Sequence, residues 1–201
     1  MKLYYSSTSP FVRKVNIFAI EAGLDDQLEW VTTNPWQAED HLTTENPLSK
    51  IPTLITDDGE VIYDSGVICE YLDSLHNGEK LIPGGDKARW QILRLQALAD
   101  GILDAGILRF MERKRASEMQ SKDWDDMQKG AVERGLDYLE RSFSDWANHG
   151  LNLAVISVAC VLGWLDFRFS DENWRVNRPN LNQWFDEISS QDSMLKTLPK
   201  E

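Results

Sequence analysis

Residues 76–86, HNGEKLIPGGD, hold three glycines and a proline, and the hydrophobic period changes across them. Glycine and proline punctuate regular structure, so this stretch is the best linker in the chain. Before it, KLYY (2–5) is short, aromatic and bounded by hydroxyl residues, which predicts a strand. From Pro10 the apolar residues Phe11, Val15, Phe18 and Ala22 follow helical spacing, and Gly23 is a suitable stop. LEWVTT (28–33) predicts a second strand, and PTLITDDGEVIYDS (52–65) two more around a turn at Asp57, Asp58 and Gly59. A helix then runs from Ser65 to Leu75, with Asp64 or Ser65 as its cap. The order β-α-β, a variable segment, then β-β-α implies a mixed sheet with helices on its faces.

Beyond the linker everything is helical in character. A helix over 87–118 carries a stripe at Leu95, Leu98, Ile102 and Ala105, and a second runs over 121–146. A third, 153–169, is apolar nearly all round and belongs at the centre of its domain. A fourth starts near Pro179, where proline suits the first turn. The expected division is an α/β domain over 1–76 and an all-α domain over 87–201.

Charge narrows the function. The formal net charge is −12, against a duplex nucleic-acid binder or a polybasic membrane surface. The start MKLYYSSTSPF lacks the apolar core of a secretion signal, and the longest apolar run, 153–165, is shorter than the ~18–20 residues of a membrane span. A soluble, cytoplasmic protein is expected. Cys69 and Cys160 sit far apart in apolar stretches and read as reduced core thiols. The scattered histidines His41, His76 and His149 offer no metal-ligand spacing, so no metal is expected. Eight tryptophans suit core and interface packing or an apolar cleft.

One cluster stands out: SSTSPFVRK (6–14) places four hydroxyls before a proline and a helix, with no histidine or acid beside them to activate one. Three motifs give it a context: TSPFVRKV (8–15) after the first strand, NPLSKIPTL (46–54) before the third, and YDSGVICEYL (63–72) opening a helix. In this order and at these spacings, over essentially the whole chain, they resemble the cytosolic glutathione S-transferases. ADGILDAG (99–106) and NLAVISVACVLGWLDFR (152–168) are most similar to serine-type bacterial members of unassigned physiological role.

The resemblance implies an α/β thioredoxin-like N-terminal domain that binds glutathione, an all-α domain completing an apolar second-substrate cleft, and a two-fold homodimer. It places Ser9 at the reactive position, as a hydrogen-bond donor that favours the thiolate of bound glutathione. The same residue is also readable as a plain helix cap, and Ser7 is a rival for the thiol. A cis Ile51–Pro52 bond is implied, presenting the Ile51 backbone to the cysteinyl part of the tripeptide. Lys50 reaches the glycine carboxylate or is a solvated surface lysine. Asp64 and Ser65 receive the γ-glutamyl carboxylate at a helix N-terminus, although the family more often has Glu or Gln at position 64.

Asp100, with Asp104 as rival, would reach the ligand's ammonium in the neighbouring subunit, or both are ordinary solvated acids. The glycines at 101 and 106 would be kept for close helix approach. Arg109 or Arg113 would line the second-substrate cleft with Phe11, Trp36, Met111 and Trp164, unless the run RFMERKR (109–115) merely suits the helix dipole. The family usually starts the buried helix with Ser/Thr-x-x-Asp. Here Asn152 can cap, but position 155 is Val, so half of the reciprocal capping is gone. The implied activity is conjugation of glutathione to a small electrophile, with glutathione as co-substrate and no further cofactor. The alternative is a glutathione-fold binding or regulatory protein without turnover. Glutathione-dependent reduction ranks lower, because it normally needs cysteine at position 9.

Overall fold

In the computed structural model, residues 1–37, 40–85 and 87–200 are described, with every side chain except that of Asp40. Asp86 of the linker and Glu201 of the expected helical domain lie outside the described residues.

The sheet is built on β1 (Lys2–Tyr5). It runs parallel to β2 (Glu29–Thr32) and antiparallel to β3 (Thr53–Ile55), which pairs antiparallel with β4 (Val61–Ile62). The strand order is β2-β1-β3-β4, the mixed sheet that the element order requires. Leu3 and Leu54 oppose each other in register and both are fully buried. Burial of such side chains, about 1.5–3 kcal/mol each, fixes the pairing against a one-residue slip.

Between β1 and β2 lies α1 (Pro10–Glu21), with Pro10 in the first turn and Gly23, at φ +67°, reversing the chain after it. The segment before β3 contains a short α2 (Asp40–Glu45). Its Leu42 joins Tyr4, Val12 and Ile51 in one buried cluster. The β3–β4 turn closes as expected, with Gly59 at φ +89° and Thr56 bonding Glu60 through both backbone and side chain. α3 (Ser65–Leu75) packs on α1 through a buried face that includes Ile68, Cys69 and Leu72.

The helical part is α4 (Lys87–Arg113), α5 (Lys122–Arg141), α6 (Leu153–Arg168) and α7 (Pro179–Ile188). α4 stops at Arg113, short of the expected 118. Gln120 Nε2 there donates to the carbonyls of Arg113 and Arg115, at 3.2 and 2.9 Å, closing off the last turn. α5 likewise stops before Trp146, where a single 3₁₀ turn, Phe143–Asp145, takes over. α6 is buried at every position from Leu153 to Leu162. Asn152 caps it alone, its Oδ1 accepting from Ala154 N at 3.0 Å and Val155 N at 3.1 Å.

Two compact units result: Met1–Arg89 together with the terminal stretch from Gln191, and Trp90–Ser190. The expected all-helical domain therefore gives up its end. α8 (Asp192–Lys196) packs on α1, and buried Arg13 donates to Met194 O at 3.2 Å and Thr197 Oγ1 at 3.4 Å. Among the described residues, no helix is long and apolar enough to cross a membrane.

Candidate functional site

Helix α1 gathers the three motifs of the first unit. Ser9 has extended backbone angles (φ −79°, ψ 122°) and caps the helix, its Oγ accepting from Val12 N at 3.3 Å. Val12 belongs to the buried cluster that also holds Ile51, so the loop before β3 is anchored at this same turn. Two residues further along, Lys14 Nζ donates to Ser65 Oγ at 3.0 Å, which ties the start of α3 to α1.

The four hydroxyls of the opening cluster differ in what they do. Ser6 Oγ and Thr8 Oγ1 lie 3.3 Å apart and pair with each other. Ser7, exposed, donates to the Lys200 carbonyl at 2.9 Å. Ser9 is half-buried and accepts a hydrogen bond as a cap, a role that leaves its own proton to donate elsewhere.

The Ile51–Pro52 bond is cis, and both residues are buried. The loop is held by Asn46, 1% exposed, whose Nδ2 donates to Lys50 O at 3.1 Å and Thr53 Oγ1 at 3.0 Å while Oδ1 accepts from Leu48 N. The Lys50 side chain is exposed. Asp64 is the N-cap of α3, Oδ1 accepting from Gly66 N at 2.8 Å, and Ser65 Oγ lies 3.4 Å from that same oxygen. Ser65 itself is buried.

Of the residues assigned to the second-substrate cleft, Phe11 and Trp36 lie in the first unit. Phe11 is half-buried beneath the Lys14 ammonium, and Trp36 is exposed in the turn Pro35–Gln37. Arg109, Met111, Arg113 and Trp164 lie in the second unit, as do Asp100 and Asp104. Arg109 is 1% exposed and braced from two sides, by Asp125 at 3.1 Å and by Glu172 at 2.7 and 3.1 Å. Its ring neighbour is Phe169, 4.7 Å from the guanidinium carbon. Arg113 pairs with Glu172 and lies over the same ring.

Burial would raise the Glu172 carboxyl, but Arg109 first, then Arg113 and Lys129, pull it down to about 2. Burial likewise works against the Arg109 charge, and its two carboxylates outweigh it and raise its pKa. Trp164 is buried edge-on to Phe110 and Phe169. Asp100 accepts from Gln96 Nε2 one turn earlier on α4.

Asn46 and Lys14 are absent from the residues singled out in the sequence, though each carried a signal. Asn46 precedes a proline, a turn-forming pair. Lys14 falls three residues after Phe11 and four before Phe18, on the apolar stripe where a solvated lysine does not belong.

Comparison with known proteins follows the same division. Residues 8–75 match the family "Glutathione S-transferase, N-terminal domain", and residues 96–187 match "Glutathione S-transferase, C-terminal domain". The uncharacterized GST-like protein YibF of Escherichia coli (strain K12) is 36% identical over 99% of this chain and 98% of its own. A glutathione transferase family member from Pseudomonas fluorescens Pf-5, solved with bound glutathione, is 42% identical. It superposes with a TM-score of 0.96 over 100% of this chain and 99% of its own. A glutathione S-transferase from Methylobacillus flagellatus KT, solved with glutathione bound, is 37% identical with a TM-score of 0.91 over 99% of each chain.

Proposed function

Because this chain belongs to the glutathione S-transferase family, we propose that it binds glutathione on its first unit, ionises the thiol beside Ser9 and conjugates it to a small electrophile. The observation that carries this reading is the convergence of the three motifs on the first turns of α1, through Val12 with Ile51 and through Lys14 with Ser65. Solved relatives at 42% and 37% identity hold glutathione.

Each part of the tripeptide meets matching chemistry. The Ile51 backbone, next to Pro52, pairs with the cysteinyl residue as a strand would. The α3 N-terminus, with Asp64 and Ser65, receives the γ-glutamyl carboxylate on first-turn amides that lack helical partners. Lys50 takes the glycine carboxylate. In a homodimer, Asp100 of the second unit meets the ligand's ammonium across the interface. On the first unit, Phe11 and Trp36 face the electrophile; within the second unit, Arg109 and Arg113 both lie over the Phe169 ring, edge-on to Trp164.

A free cysteine thiol titrates near ~8.5, so only a few per cent is ionised at neutral pH. Lowering it by one unit takes about 1.4 kcal/mol of preference for the thiolate. The Ser9 hydroxyl, already accepting from Val12 N, has the polarity to donate to sulfur. The positive end of α1 adds to that preference. The thiolate then forms a C–S bond with the electrophilic carbon. The leaving group departs with its electron pair, or, for an activated alkene, the neighbouring carbon takes up a proton. The thiol's proton passes to solvent water, which also supplies the proton that an alkene carbon takes up, so no protein base is needed, in keeping with the absence of a histidine beside Ser9 in the sequence. Such conjugation in the cytoplasm is a detoxification reaction.

Calorimetry with glutathione, followed by turnover of an activated aryl halide, tests the reading. Binding with turnover is expected, and Ser9→Ala should raise the bound thiol's pKa and cut turnover about 10–1,000-fold, as loss of one donor to a developing anion does. Tight binding without turnover would instead mark a binding or regulatory protein.

A further inference from the structure

Lys14 is fully buried, with 0% exposure, on the apolar side of α1. Burying an ammonium is costly and calls for a compensating role. Its Nζ lies 3.0 Å from Ser65 Oγ, itself on a residue only 2% exposed at the first position of α3. A lysine ammonium can only donate, whereas a hydroxyl has one proton and two lone pairs. Lys14 therefore occupies a lone pair of Ser65 and turns its proton away. That proton points toward the capping end of the helix, where Asp64 Oδ1 is 3.4 Å from the hydroxyl oxygen. The long contact to Asp64 is weak and easily exchanged for a better acceptor.

From this geometry we infer that Lys14 is a positioning residue for a carboxylate at the α3 N-terminus. It holds Ser65 in the donor state and adds a buried positive charge behind it. The inference rests on the proposed binding of glutathione, whose γ-glutamyl carboxylate is the acceptor. Ser65 is then committed as a donor before the ligand arrives, so the site discriminates a carboxylate from an uncharged group of the same shape. A hydroxyl free to rotate would accept from an amide as readily as donate to a carboxylate.

The test compares two ligands by calorimetry on the full chain: glutathione, and 4-aminobutanoyl-cysteinyl-glycine, which lacks only that carboxylate. The native chain should bind glutathione at least tenfold more tightly. Lys14→Met should weaken glutathione about 10-fold, the effect of losing a charge-supported hydrogen bond, and leave the analogue within about twofold. Ser65→Ala should do the same, and the double variant should lose little more than either single one. Should Lys14→Met fail to fold, Lys14→Gln decides with the same pair of ligands. A glutathione-selective loss of about threefold or more is then expected. Equal weakening of both ligands, or no weakening of either, overturns the role of Lys14. A native chain that binds neither ligand overturns the reading of the site itself, and a native chain that binds both equally removes the carboxylate from it.

Discussion

At position 9 the observed cap and the proposed thiolate contact would use different atoms of one hydroxyl. As a cap it accepts from Val12 N at 3.3 Å, and in the proposed role it would donate its proton to the thiolate. The two are separable by substitution. Ser9→Ala loses both and should cost about 1 kcal/mol of stability, whereas glycine at a cap costs only a few tenths. Ser9→Gly should therefore match Ser9→Ala in lost turnover while keeping a melting temperature close to native. If Ser9→Gly kept native turnover, the hydroxyl would be a cap alone. The position of Ser9 was legible because a hydroxyl before proline at a helix start has few other uses. Lys14 was not singled out: its place on the apolar stripe marks it as buried, but its partner Ser65 lies far along the chain and shows only in the fold. Arg109 shows the converse. Its place at the start of a basic run suits a substrate-facing cation, but only the fold reveals that Asp125 and Glu172, distant in sequence, already grip it.

Among the helices, glycines report where another element comes close. Glycines 101 and 106 both drew attention on α4, and they prove different. A Cβ on Gly106 would come within 2.7 Å of the Trp164 ring, while one on Gly101 would meet nothing within 4 Å in this chain. α5 provides the sharper case, with two glycines five residues apart on one helix. A Cβ on Gly135 would lie 2.5 Å from Ile102 Cγ1, a buried β-branched side chain with one stiff rotamer. A Cβ on Gly130 would meet only the tip of Arg134, an exposed side chain that can move aside. Alanine gains about 1 kcal/mol over glycine in a helix interior, and overpacking costs about 1–3 kcal/mol. Gly130→Ala should therefore raise the unfolding free energy, read by urea titration, by up to about 1 kcal/mol, and Gly135→Ala should lower it by up to about 2 kcal/mol. Shifts of the same sign in both would mean that propensity, not the approach of α4, sets the response. Periodicity predicted each long helix but overran the ends of α4 and α5, because those ends depend on Gln120 and on the turn at Phe143, whose local bonds leave no periodic trace.

Across the whole molecule, element order alone specified a mixed sheet and a separate helical part, since few folds satisfy β-α-β followed by β-β-α. The return of α8 to the first unit was not legible, because it rests on Arg13 reaching residues 194 and 197, nearly the length of the chain away. Long-range ion pairing is equally hidden, and in the second unit it makes stability depend on pH. Glu172 joins Arg109 of α4 to the segment after α6, and its carboxyl sits at about 2 in the folded chain against 4.5 for the free group. A depressed carboxyl stabilises fully above its unfolded value, and the contribution fades as pH falls from about 4.5 toward 2. For a side chain 23% exposed, the shift corresponds to about 2–3 kcal/mol of the second unit's stability near neutral pH. Glu172→Gln should accordingly lower the unfolding free energy by about that amount at pH 7, through loss of the charge facing Arg109 and Arg113. The gap between native and variant, followed by urea titration, should then narrow steadily below pH 4.5 and nearly vanish at pH 2. A gap that stayed constant over that interval would show that packing around Phe169, rather than the charge on Glu172, is what the substitution disturbs.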